Sequence, residues 1–142
     1  MNFRIAIASV AFVEILLAPG ARAADSADAT FIAQGNQQWA AGRIDDAKKS
    51  FEQALAADPR SIDAHMKLAG LLLVNHNYAE AIQAYQRTIG LDANNAKAWM
   101  GLGLACLHSG QRELSRAAFG EAVRIDPRRK TQLAGLIEET AE

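Results

Sequence analysis

The chain has 142 residues, 50% of them hydrophobic and 22% charged, with a formal net charge of −1. That balance suits one globular domain with a buried core and excludes a chain too polar to fold. There is no basic surplus for nucleic acid or an acidic membrane surface, and a single cysteine, Cys106, excludes an internal disulfide.

Residues 1–23 read as an address and not as part of the fold. Arg4 gives a positive start, Ile5 to Ala18 is an apolar run whose one charge is Glu14, and Pro19-Gly20 breaks it. Ala21-Arg22-Ala23 then offers small residues at both recognition positions of a signal peptidase. Cleavage is expected after Ala23, with residues 24–27 as a mature N-terminal linker. The run is shorter than the ~20 apolar residues of a membrane span, so no membrane insertion is expected after cleavage. No cysteine follows it, which excludes a lipoprotein anchor, and losing Arg4, Glu14 and Arg22 takes the net charge from −1 to −2. The expected location is periplasmic or secreted.

Residues 28–61 carry two helical patterns. In the first, Gln34 and Gln38 stand where later segments have Leu68 and Leu72, or Leu102 and Cys106, so this helix reads as a polar-faced end cap. Trp39 partly compensates. Gly42 supplies a left-handed helix end. The second helix opens on Asp45-Asp46, where negative charge suits the dipole and an aspartate can cap. Phe51, Ala54 and Leu55 form its apolar stripe, and Pro59 closes the segment.

Residues 62–95 repeat the plan, with His76 where the first and third segments have glycine and Ala93 where they have proline. Asn75 and Asn77 flank His76, and asparagine tolerates the left-handed region. In residues 96–129, Trp99, Leu102, Gly103 and Cys106 fall at i, i+3, i+4 and i+7, the spacing of an amphipathic helix. A break at His108-Ser109-Gly110-Gln111 comes next. A second helix then aims Leu114, Ala118, Phe119, Ala122, Val123 and Ile125 at the core. Residues 130–142 place Leu133, Leu136 and Ile137 on one side of a short helix that covers the last apolar edge. Arg128, Arg129 and Lys130 read as favourable charge near a helix C-terminus, not as a nucleic-acid patch.

The three segments superpose at a shift of 34 residues: Asp58, Asp92 and Asp126; Phe51, Tyr85 and Phe119; Gly35, Ala69 and Gly103; Ala47, Ala81 and Ser115. A helix-turn-helix unit of this period must stack on a neighbour to bury its apolar face. On these residues the chain resembles the tetratricopeptide repeat family. The resemblance implies an all-α fold, a right-handed α-solenoid of three repeats at 28–61, 62–95 and 96–129 with a C-terminal capping helix at 130–142.

It also implies a concave groove lined by the first helix of each unit. One row there holds Ile32, Met66 and Met100, a second Trp39, Leu73 and Leu107, and a third Ala40, Val74 and His108. Asn36, Gly70 and Leu104 lie between them, with Asp63 and Lys97 near the rim. Family members that grip a C-terminal carboxylate use a two-carboxylate clamp of lysine, asparagine and arginine. Its positions here are Ile32, Asn36, Lys67, Lys97 and Gly101, of which Asn36 and Lys97 match and Ile32 and Gly101 do not. Without the arginine, bidentate capture is weakened, and the clamp is not the expected mode.

No catalytic set or cofactor site is expected. His65, His76 and His108 lack the spacing of metal ligands, and a helical pattern runs through Gly101-Leu102-Gly103, unlike a dinucleotide loop. Cys106 falls on a buried helix face, where a thiol acts as a small apolar group. The expected function is a non-enzymatic, exported adaptor, monomeric, that holds a partner peptide in the groove. Apolar anchors of the partner meet Trp39, Met66, Val74 and Met100, while Lys67 and Lys97 steer an acidic or C-terminal group. The resemblance places assembly of a bacterial envelope or cytochrome complex within reach of such a protein. A self-associating scaffold and a chaperone for secreted or apo-proteins are the alternatives.

Overall fold

The computed structural model describes residues 19–141, with residues 19–26 described by backbone alone. The apolar run at 5–18, and with it most of the expected signal segment, lies outside the described residues.

Among the described residues seven α-helices succeed one another: α1 (Pro19–Ala40), α2 (Ile44–Ala57), α3 (Ile62–Val74), α4 (Tyr78–Leu91), α5 (Ala96–His108), α6 (Arg112–Ile125) and α7 (Lys130–Glu139). A short 3-10 turn, Pro127–Arg129, leads into α7. Pro19 and Gly20, the first described residues, lie in α1 as it is described. The expected linker at 24–27 is likewise helical, in an alanine-rich stretch of high helix propensity.

Each helix pair turns on a residue in the left-handed region: Gly42 (φ 74), His76 (φ 62) and Gly110 (φ 80). The hydrogen bonds are the same at all three. Arg43 N–H donates to Gln38 O, Asn77 N–H to Leu72 O and Gln111 N–H to Cys106 O, at 2.8–2.9 Å. A second bond of 2.9–3.1 Å closes a smaller ring inside each, as in a Schellman end. The turn therefore survives at His76, although the strained position falls on the histidine itself and not on a flanking asparagine.

The core is a continuous seam between the helices. Phe51, Leu71, Cys106 and Phe119 are fully enclosed, with Leu68, Leu72, Tyr85 and Leu102 nearly so. Burying each large side chain stabilises by about 1.5–3 kcal/mol. Leu114 is an exception to the expected core: it is 38% exposed, one residue outside the Ser115, Ala118, Phe119 and Ala122 stripe of α6. The polar reading of α1 holds for exposed Gln34 but not for Gln38. Gln38 is buried, and its Oε1 accepts a 2.6 Å hydrogen bond from the Ser50 hydroxyl of α2, so the pair satisfies itself where other units pack apolar groups.

Asp45 and Asp46 lie in the first turn of α2, as the dipole favours, but neither caps it; Arg43 holds the N-cap position and its side chain makes no capping bond. Beyond α6, Asp126 collects the basic run. Arg128 Nε donates to it at 2.8 Å and Arg129 Nε lies 3.3 Å away, too poorly aligned for a hydrogen bond. The helix α7 closes the stack by burying Leu133 against Phe119 and Ala122.

Helices α1 and α3 touch, as do α3 and α5, whereas among the described residues α2, α4 and α6 do not approach one another. The first helices thus pack closely and the second helices splay, which bends the stack toward the α1–α3–α5 side. The fold is an all-α solenoid.

Candidate functional site

The inner face carries a depression of about 630 Å³ between α1, α3 and α5. Trp39 and Met66 line it with apolar surface, and Lys67 and Lys97 bring two ammonium groups to the same hollow. Trp39 is held edge-on against Phe51, ring centroids 6.4 Å apart, and its ring tip lies against Gly70, where a Cβ would stand 3.4 Å away. Such ring pairs add about 0.5–1.5 kcal/mol beyond burial, so the indole is a fixed wall. Among the described residues neither Lys67 nor Lys97 is in an ion pair. Asp63 supplies one opposing carboxylate to the lining.

Four of the nine residues expected from sequence therefore meet. The other five do not. Ile32 is only 8% exposed, packed with Ala54 and Ala64, because its place in α1 faces the next unit and not the hollow. Met100 is half-buried beneath α7, against a cluster that includes Leu133, Leu136 and Ile137, with Arg129 Nη1 3.6 Å from its sulfur. It is a seam residue, and the expectation of a free groove contact is corrected. Asn36 and Val74 lie outside the lining, Val74 at 63% exposure. His108 belongs to a second depression of about 420 Å³ beside Leu104, Leu107 and Leu136, and its ring stacks on Tyr78 at 5.3 Å.

Tyr85, Ile62 and Asn95 line the main depression without having been expected there. Asn95 caps α5, its Oδ1 accepting from Ala98 N–H at 3.0 Å. Tyr85 has a local cause. In the first and third units a glycine, Gly35 or Gly103, lets the Phe51 or Phe119 ring press against the unit's own first helix. The second unit has Ala69 at that place, and the Tyr85 ring lies instead against Gly101 of α5, where a Cβ would fall 2.3 Å from its ring. Burial pushes the phenol up to about 12. The glycine that makes room for this ring also removes the clamp arginine, so two observations share one origin. A sequence signal existed: Ala69 breaks a glycine pattern, and Gly101 has no glycine counterpart one unit earlier, where Lys67 stands.

Burial also raises the Cys106 thiol, which keeps it protonated and apolar. Among the described residues no group of three or more His, Cys, Asp or Glu side chains could hold a metal ion. No described helix is long and apolar enough to cross a membrane.

The family model for the tetratricopeptide repeat matches residues 32–96 and 71–129. The chain belongs to the tetratricopeptide repeat family. It is 30% identical over 104 residues to the Hsp70-Hsp90 organizing protein of Triticum aestivum, covering 73% of this chain and 18% of that protein. It is 27% identical over 99 residues to the general transcriptional corepressor trfA of Dictyostelium discoideum, covering 70% and 7%. The chain thus spans less than a fifth of the curated relatives it matches.

Among solved structures, the second tetratricopeptide domain of human RPAP3 in complex with an HSP70 peptide superposes with a TM-score of 0.78 at 20% identity, covering 84% of this chain and 98% of that one. The type III secretion translocator chaperone SycD of Yersinia enterocolitica gives 0.74 at 16% identity, covering 82% and 92%. These likenesses fix the architecture of this tetratricopeptide repeat protein.

Proposed function

We propose that this tetratricopeptide repeat protein is a non-enzymatic adaptor that holds a partner peptide in the depression between α1, α3 and α5. One observation carries the reading: a rigid apolar wall of Trp39 and Met66 stands beside two lysines without ion-pair partners among the described residues. An apolar side chain of the partner packs on the indole while its acidic or C-terminal group meets Lys67 and Lys97. Several structural neighbours are described as bound to HSP90 or HSP70 peptides, which supports a peptide as the ligand class. The mode differs from the clamp, because Gly101 is filled by the Tyr85 ring.

Ordering a flexible peptide costs about 2–5 kcal/mol, so affinity in the micromolar range, about −8 kcal/mol, is expected. The test is fluorescence anisotropy with labelled peptides that pair an apolar residue with an acidic C-terminus. Lys67→Glu with Lys97→Glu should abolish binding and its salt dependence, and Trp39→Ala should weaken it. Unchanged affinity in both variants refutes the site.

The adaptor is exported, on our reading, and works in the bacterial cell envelope in assembly of a larger complex. The three-part pattern of residues 1–23 supports this. N-terminal sequencing of the exported protein should begin at Ala24; an intact Met1 in the cytoplasm refutes it.

A further inference from the structure

A second cavity, about 450 Å³, opens in the seam between the first and second units, away from the inner groove. Leu55, Pro59 and Leu91 give it apolar walls, and His65, Arg87 and Gly90 complete it. Its volume falls in the ~300–1,000 Å³ range of small-molecule sites. The repeat itself says what is missing. Shifted by 34 residues, His65 becomes Trp99, Pro59 becomes Ala93, Arg87 becomes Glu121 and Gly90 becomes Arg124.

Trp99 Nε1 donates to Ala93 O at 2.9 Å, and His65 Nε2 makes the matching bond to Pro59 O at 3.0 Å. A carbonyl only accepts, so Nε2 carries the proton. Nδ1 is then a buried acceptor with no partner among the described residues. The imidazole thus copies the indole's hydrogen bond but not its bulk. The charges differ as well. In the third unit Arg124 donates to Glu121 at 2.9 Å, whereas at the equivalent places the second unit has Arg87 and a glycine. Arg87 has no ion-pair partner among the described residues; of the two acids in the adjoining furrow, Glu80 is taken by Lys48 at 2.8 Å, and Glu52 of α2 is in no ion pair with Arg87. At the places that hold Trp99 and Glu121 one unit later, the seam has a smaller ring and a guanidinium instead of a carboxylate.

We propose that this cavity binds a small aryl carboxylate, its ring in the space that an indole fills one unit later and its carboxylate on Arg87. The site needs no chemistry on the ligand. Its occupation would brace the seam between the units.

The probe is indole-3-propionate, titrated into the 15N-labelled chain, with indole-3-propionamide as the uncharged control. Saturable shifts at the amides of His65, Gly90 and Leu91 are expected. Arg87→Gln should weaken the acid about tenfold, the scale of one charge-assisted bond, and leave the amide unchanged. His65→Trp supplies the ring from within and should abolish binding of both. Should that variant fail to fold, Gly90→Leu fills the cavity without adding charge, since nothing lies within 4 Å of a Cβ there. No saturable shift, shifts centred on Trp39 and Lys67, or full binding in the filled variants overturns the proposal.

Discussion

Replacing Gly35 with alanine isolates the close approach on which the first unit depends. A mid-helix Gly→Ala change ordinarily stabilises by about 0.5–1 kcal/mol, because glycine loses more backbone freedom on folding. Here the new Cβ would stand 2.5 Å from the Phe51 ring, which is fully enclosed and already braced against Trp39. The ring has no equivalent of the Tyr85 escape, since Lys67 occupies the place that Gly101 holds for Tyr85. Overpacking of this kind costs about 1–3 kcal/mol, so the net change is a loss of about 1–2 kcal/mol. Gly120→Ala is the control: nothing lies within 4 Å of its Cβ, and it should gain about 0.5–1 kcal/mol. Urea unfolding, monitored by far-UV dichroism, reads both. If Gly35→Ala is as stable as the parent, the proposed contact does not limit the fold.

Single groups elsewhere in the stack give three more expected outcomes. The Tyr85 phenol is raised from 10 to about 12 by burial, so its contribution is complete below pH 10 and is lost as pH rises through 12. Tyr85→Phe should remove that alkaline loss, read by unfolding midpoints between pH 9 and 12. Asp126 is held below its ordinary value, chiefly by the Arg128 side chain, so its contribution is present above the usual carboxylate range and is lost as acid titrates it. Asp126→Asn should flatten the acid limb of stability, and an unchanged limb would show that the pair contributes nothing. Gly101→Arg should destabilise by about 1–3 kcal/mol through collision with the Tyr85 ring and should not create carboxylate capture, checked by unfolding and by peptide titration.

Much of the architecture was legible because the period is carried by residues whose size alone decides the packing: Gly35, Ala47, Phe51 and their counterparts. Turns were legible at Gly42 and Gly110 for the same local reason. The groove was less so. A helix face between two neighbours has no sharp edge in sequence. Ile32 and Met100 share a row with Met66, yet the second unit covers the one and α7 the other. The direction of the Tyr85 ring depends on two glycine-or-alanine choices in different helices, which no single helical pattern displays.

The two joints of the stack are unlike in strength. At the later one the Tyr85 ring reaches across to α5 and Trp99 plugs the gap, and α4 lies along α5 more extensively than α2 along α3. At the earlier one an open cleft of about 450 Å³ and an imidazole with one unpartnered nitrogen lie between the units. A linear array fails first at its loosest coupling. The N-terminal hairpin should therefore come away as a leaf while the remainder stays shut, with amides of α1 and α2 exchanging their hydrogens well before those of α4 and α5.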